Sequence, residues 1–163
     1  ELNFILDGGP CSHGLESTII GFQNDKPILY RHGAIAQEEI EKVTGSISVK
    51  NQNNSSPSAP GMLSRHYAPR TPIQITKEIS NSIEQNRDKK IGVLSFQKFK
   101  NSHSVINQEV LSISGNLKEA AKNLYAALHR LDQMNLDLII TSLFPEKGLG
   151  KTINDRLKRA AKK

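Results

Sequence analysis

Three short stretches carry the side chains in this sequence that could do chemistry. In "GLESTII" a glycine turn delivers Glu16, Ser17 and Thr18 to the start of a β-branched run. Hydroxyls and exposed backbone N–H groups there could hold a small polar ligand, although a turn entering a strand uses the same residues. In "PILYRHG" Arg31 ends a second apolar run and could reach a phosphate, or could be an ordinary surface arginine. The third stretch, "SPSAPGMLSRHYAPR", has too much proline for a helix or a central strand, yet holds Met62, Leu63, Arg65, His66, Tyr67 and Arg70 within nine residues. Pro60-Gly61 and Ala68-Pro69 stiffen the chain on either side of His66 and Tyr67. A flexible tether gains nothing from stiffness, whereas a segment that must lie in one conformation loses less entropy on docking. Two readings of this stretch stand side by side: an apolar strap packed on a domain, or a cover whose His66 and Tyr67 contact a ligand.

Other motifs are weaker. "EKGLGKTINDRL" places Gly148, Gly150 and Lys151 between a strand and a helix. Its spacing is neither the dinucleotide fingerprint nor the Walker A loop, so it reads first as a glycine turn packing helix on sheet. His103 and His129 have no partners at metal-ligand spacing, and His129 reads as a boundary residue of a helix. Cys11 is the only cysteine. It allows no internal disulfide and no thiolate zinc site, reads as a small buried filler, and points to a reducing cytoplasm.

The elements that must position these residues follow from periodicity. "ELNFIL" starts in mid-strand; "LESTIIGF" and "PILYRHG" are further strands; "AIAQEEIEKVTG" is a short helix, with Ile35, Ile40 and Val43 on one face, Ala36 at the cap and Gly45 as the stop. So few elements cannot bury a core by themselves, which implies an N-terminal partner. "SVKNQNNSSPSAPG" has linker composition. From Thr71 onward, strands at "PIQIT", "KIGVLSF", "SVINQEVLSI" and "DLIITSLF" alternate with helices at "KEISNSIEQN", "NLKEAAKNLYAALHRLD" and "TINDRLKRAAKK". Asn116 caps the middle helix, with Glu119 placed for a capping box. Alternation of this kind predicts an α/β domain with a mostly parallel sheet covered on both faces.

Composition sets outer limits. Hydrophobic residues make up 36% and the mean hydropathy is −0.46, as in globular proteins. The longest apolar run, Leu136 to Phe144, is too short to cross a bilayer, and no basic-then-apolar leader opens the chain, so neither membrane insertion nor secretion is expected. The formal charge of +6 is uneven: residues 1–60 carry −3, residues 61–163 carry +9, and Lys147 to Lys163 holds seven basic residues against Asp155 alone. That basic end could attract nucleic acid. It could equally be a solvated final helix whose cations complement its own C-terminal dipole.

Taken in order, "DGGPCSHGLESTII", "ILYRHGAI" and "SPSAPGMLSRHYAPRTPI", with "GLGKTINDRLKRAA" at the end, resemble the Sua5 branch of the Sua5/YciO/YrdC family, the L-threonylcarbamoyladenylate synthases. The resemblance implies residues 1–50 as the C-terminal edge of a YrdC-like twisted sheet, 51–72 as a linker or lid carrying "PGMLSRHYAP", and 73–163 as a small Rossmann-like α/β domain. It implies a cytoplasmic nucleotidyltransferase that joins L-threonine, bicarbonate and ATP, with Mg2+ accompanying the nucleotide. The product passes to a tRNA-modifying transferase for t6A at position 37. By the same resemblance Ser17 helps hold threonine, Arg31 contacts the nucleotide phosphates, and His66 and Tyr67 lie against ATP or the adenylate. His32 stands where the family has proline, and Ala36 where it has a capping threonine or serine. The family's KxR and SxxN motifs belong to an N-terminal catalytic half not contained in these residues, so the chain alone is expected to be inactive. The rival expectation is an RNA- or protein-binding module built on the basic end, with no catalytic role.

Overall fold

The computed structural model describes residues 3–9, 11–50, 68–98 and 107–162. Residues 51–67, which include His66 and Tyr67, and also His103, lie outside the described residues.

The first sheet is a hairpin with an added strand. β1 (Ile19–Gln23) and β2 (Lys26–Arg31) run antiparallel and are joined by Asn24 and Asp25. Both turn residues have positive φ, the geometry whose twist matches that of the flanking strands. α1 (Gln37–Thr44) follows, and β3 (Ser48–Val49) then lies parallel to β2. Leu29, Ile40 and Ile47 form the small core between them.

Three expectations for this part are corrected. The described part of "ELNFIL" is not a strand: residues 4–9 are irregular, and Phe4, Ile5 and Leu6 are exposed, having no neighbouring strand among the described residues to pack on. On α1, Ile40 alone of the three predicted residues is buried, while Ile35 and Val43 face outward. Cys11 is exposed rather than a buried filler, because the loop that carries it runs over the surface. Ala36 does occupy the cap of α1 and offers no side-chain bond; the Glu39 carboxylate accepts the Ala36 N–H at 3.2 Å instead.

The second sheet is the expected α/β unit. β4 (Ile73–Ile75), β5 (Ile91–Ser95), β6 (Asn107–Val110) and β7 (Leu138–Thr141) are all parallel, in the order β4-β7-β5-β6. Alternation along the strands sends Leu94 and Ile139 to one face, against α3 (Leu117–Asp132) and α4 (Leu149–Ala160). Val93, Leu138 and Ile140 go to the other, against α2 (Ile79–Gln85). The helical spacing of apolar residues on α3 buries Ala120, Ala121, Leu124, Leu128 and Leu131. Asn116 caps α3, its Oδ1 accepting from the N–H groups of Lys118 at 2.8 Å and Glu119 at 3.2 Å. The reciprocal half of the capping box is replaced: Glu119 accepts from Ser112 and Ser114, and the Asn116 N–H donates to Ser112 Oγ at 2.8 Å. No helix among the described residues is long and apolar enough to cross a membrane.

Candidate functional site

Ser17 and Arg31 come together because the hairpin pairs the start of β1 with the end of β2. Ile19 stands opposite Arg31, with an irregularity in the register just beyond it. The Arg31 guanidinium donates to the Ser17 carbonyl through Nε at 3.2 Å and Nη2 at 2.9 Å, and to Ser17 Oγ at 3.2 Å. A serine hydroxyl and a guanidinium edge thus stand side by side, a pairing suited to an anionic or carboxylate-bearing ligand. Thr18 turns the other way, its hydroxyl donating to the Ile35 carbonyl at 2.8 Å and accepting the Ile35 N–H at 3.1 Å.

The turn after Arg31 packs against this segment with no room to spare. A Cβ on Gly33 would stand 2.5 Å from the Glu16 carbonyl oxygen, and closer still to the Ser17 carbonyl carbon and the Thr18 nitrogen. Only glycine fits there, and the approach lets the Ala34 N–H donate to the Glu16 carbonyl at 2.8 Å.

Glu16, in the turn that sequence left open between holding a ligand and simply entering a strand, is an anchor between the two sheets. One carboxylate oxygen accepts from Arg156 Nε on α4 at 3.0 Å, and the other from the Tyr125 hydroxyl on α3 at 3.0 Å. Burial disfavours the Glu16 anion, but the Arg156 charge and these hydrogen bonds outweigh it and hold the carboxyl below its ordinary range. Burial, with the Glu16 charge beside it, pushes the Tyr125 phenol up. Arg156 Nη2 also donates to the His32 carbonyl at 2.9 Å, and the Thr152 hydroxyl donates to the Gly33 carbonyl at 3.0 Å. Burial pushes the His32 imidazole below its ordinary range; the Asp155 charge opposes this, and the nearby Lys151 and Arg156 charges add to it. Lys151 pairs with Glu38 of α1 at 2.8 Å, and Glu38 also accepts the Gly148 N–H at the start of α4. The seam between the sheets is therefore polar and interlocked.

This arrangement corrects the readings of the basic end. The final helix is not a solvated cationic rod, because Arg156 and Arg159 are 5% and 3% exposed, paired with Glu16 and Asp155. These two neutralised charges offer little to a polyanion, while Lys158 stays exposed in the last turn, where a cation complements the helix dipole as expected. The glycine turn before α4 packs as expected: a Cβ on Gly150 would collide with the Pro145 carbonyl. A protein carboxylate, Glu38, already occupies the N-terminus of the helix. His129 is exposed and within 2.9 Å of the Gln133 amide, as a boundary residue should be. The described end of the linker is fastened to α3, where Asp132 accepts the Thr71 N–H at 2.8 Å and the Thr71 hydroxyl at 3.0 Å, with Arg70 at 3.6 Å.

Cavities open beside β2 and beside the loop that leads into the hairpin. One of about 410 Å3 between β2 and α4 is lined by Arg31, His32, Lys50 and Lys158 among others. Another, of about 680 Å3, lies between the 11–16 loop, Ala68-Pro69 and α3. Among the described residues no cluster of three or more His, Cys, Asp or Glu side chains could hold a metal ion. Sequence reasoning missed Arg156, Tyr125 and Thr152, since their partners lie more than a hundred residues away and no local pattern marks them.

Residues 35–162 match the family model described as "Threonylcarbamoyl-AMP synthase, C-terminal domain", a match that begins inside the segment of the first sheet. The chain is 35% identical to a threonylcarbamoyl-AMP synthase of Bacillus subtilis (strain 168) over 96% of its length, covering 48% of that protein. It is 33% identical to that of Pyrococcus abyssi (strain GE5 / Orsay) over 99% of its length, covering 50%. The chain thus spans about half the length of the curated relatives it matches. The crystal structure of P. abyssi Sua5 complexed with L-threonine superposes with a TM-score of 0.80 at 32% identity, over 95% of this chain and 48% of that one.

Proposed function

This chain belongs to the threonylcarbamoyl-AMP synthase C-terminal domain family, and from that premise we propose that it works as the C-terminal part of a longer synthase. That enzyme joins L-threonine, bicarbonate and ATP into threonylcarbamoyl-AMP, pyrophosphate and water, the water leaving as bicarbonate takes up a proton and releases CO2. The threonine amine adds to CO2 and sheds a proton to become a carbamate. A carbamate oxygen then attacks the α-phosphorus of ATP in line as the bond to pyrophosphate breaks. Positioning and electrostatics carry such a reaction, because little covalent help is needed from protein side chains.

The observation that carries this reading is the contact of Arg31 with Ser17 at the hairpin mouth. Ser17 is the residue we assign to threonine, and Arg31 the one we assign to the nucleotide phosphates. A relative solved with L-threonine bound supports placing an amino acid in this family's site. His66 and Tyr67 are read as covering ATP or the adenylate, where excluding water would protect an easily hydrolysed product. The described residues do not form a metal site; Mg2+ would arrive on the phosphates of ATP, and no step here is routed through it. In this reading residues 1–50 belong to the catalytic fold, 51–72 to the lid and 73–163 to the C-terminal domain. Residues 1–163 alone do not turn over, since the family's KxR motif is not among them. The product serves a cytoplasmic transferase that modifies tRNA. The buried pairing of Arg156 and Arg159 weighs against the nucleic-acid-binding alternative.

The test is pyrophosphate release by the full-length natural protein with ATP, bicarbonate and L-threonine. Release should depend on threonine; Ser17→Ala should raise the KM for threonine, and Arg31→Ala should lower kcat/KM for ATP. Release that ignores threonine, or variants that behave as wild type, would refute the assignment.

A further inference from the structure

Resting on that reading, we propose that Arg156 is a positioning residue for the substrate-binding hairpin: through one buried guanidinium, the last helix of the C-terminal domain sets the geometry of the Ser17–Arg31 pair. The argument is one of adjacency. Arg156 Nε holds the carboxylate of Glu16, the residue before Ser17, at 3.0 Å. Its Nη2 holds the carbonyl of His32, the residue after Arg31, at 2.9 Å. A single planar group therefore spans the neighbours of both members of the pair, and its remaining edge is taken by Asp155. α4 adds a third hold on the same turn, from the Thr152 hydroxyl to the Gly33 carbonyl at 3.0 Å. Tyr125 occupies the other oxygen of Glu16.

The chemistry of the group matters. A guanidinium presents several donors in a rigid fork, whereas the compact ammonium of lysine cannot hold two acceptors in the same fixed geometry. Arg156 is 5% exposed, so its bonds are screened little by water, and a break would leave an uncompensated charge in the seam. Glu16 lies just before β1 and His32 just after β2, and what lies between them is the contact of Arg31 with Ser17. Loosening either end lets that contact open or shift. A displacement on the scale of an ångström is enough to cost about tenfold to a hundredfold in a site that works by positioning.

A role in stability alone predicts something different. It would lower the folded fraction while leaving the KM for threonine unchanged. The Arg130–Glu109 pair offers the comparison, because it ties α3 to β6 at 2.7 Å and does not touch the neighbours of Ser17 and Arg31.

The experiment uses the full-length natural protein as wild type, Arg156→Lys, Arg156→Gln, Glu16→Gln and Arg130→Met. Calorimetric titration with L-threonine and the KM for threonine in pyrophosphate release would be measured at a temperature where circular dichroism shows each variant folded. Both arginine variants should weaken threonine binding and raise its KM by about tenfold or more. Arg130→Met should stay within about twofold of wild type, even if its melting temperature falls as far. Glu16→Gln keeps the side-chain length and one acceptor, and gives the same comparison from the partner's side should the arginine variants not fold. Folded Arg156→Lys, or failing it Glu16→Gln, binding threonine as wild type does would overturn the inference and leave the synthase reading intact. A wild type that does not bind threonine would overturn both.

Discussion

Replacing Gly33 by alanine should cost far more than the added methyl suggests. The new Cβ would meet three backbone atoms, with the Glu16 oxygen at 2.5 Å and the Ser17 carbon and Thr18 nitrogen nearer still. Unstrained contacts between carbon atoms lie at about 3.5–4.0 Å, so a gap of roughly an ångström must open. None of the three can swing away as a side-chain end would, because the Glu16 carbonyl is held by the Ala34 N–H at 2.8 Å and the Ser17 carbonyl by Arg31. Overpacking of this kind costs about 1–3 kcal/mol, and losing one of those hydrogen bonds adds about 1 kcal/mol. The sum is a destabilisation of roughly 2–4 kcal/mol. Urea unfolding followed by far-ultraviolet circular dichroism would read this as a midpoint lowered by about 1–2 M at unchanged slope. Gly8→Ala is the control, since nothing lies within 4 Å of its Cβ, and should stay within about 0.5 kcal/mol of wild type. If Gly33→Ala were as mild as Gly8→Ala, the tight approach of the turn to residues 16–18 would be wrong, and with it the account of how Ser17 is placed.

Other outcomes can be checked in the same way. Asn154 is 1% exposed, accepts the Phe144 N–H at 2.8 Å and donates to the Phe144 carbonyl at 2.9 Å; Asn154→Ala strands both groups and should cost roughly 2–4 kcal/mol by the same unfolding assay. Leu124→Ala opens a cavity in the fully buried face of α3 and should cost about 2–5 kcal/mol. The folded-state pKa of Glu16 lies below its ordinary 4.5, so the stability its pair contributes is complete above that value. It is lost as pH falls through the lower folded value. Melting curves of Glu16→Gln should therefore be less pH-dependent than those of wild type below about pH 4.5, and equal steepness would rule out this carboxylate as a source of acid sensitivity.

The second sheet was legible without coordinates because each of its signals is local. Helical spacing in "NLKEAAKNLYAALHRL", the Asn116 cap and the apolar runs at Ile91 and Leu138 report on neighbours a few residues away, and the parallel order follows from alternation. Ser17 and Arg31 were likewise marked by their types and by the resemblance they carried. Chain chemistry could not tell which way the basic end faces. The seven cations from Lys147 to Lys163 look the same in sequence whether solvated or buried, and burial of Arg156 depends on Glu16, 140 positions away, arriving opposite it. Ile35, Val43 and "ELNFIL" were misread for the matching reason: an apolar residue states what it would bury, and only packing supplies something to bury against. Local propensity and pattern thus decided which elements form, while the seam that turns a hairpin into a candidate substrate site came from long-range pairing of charges, which no short stretch of the chain encodes.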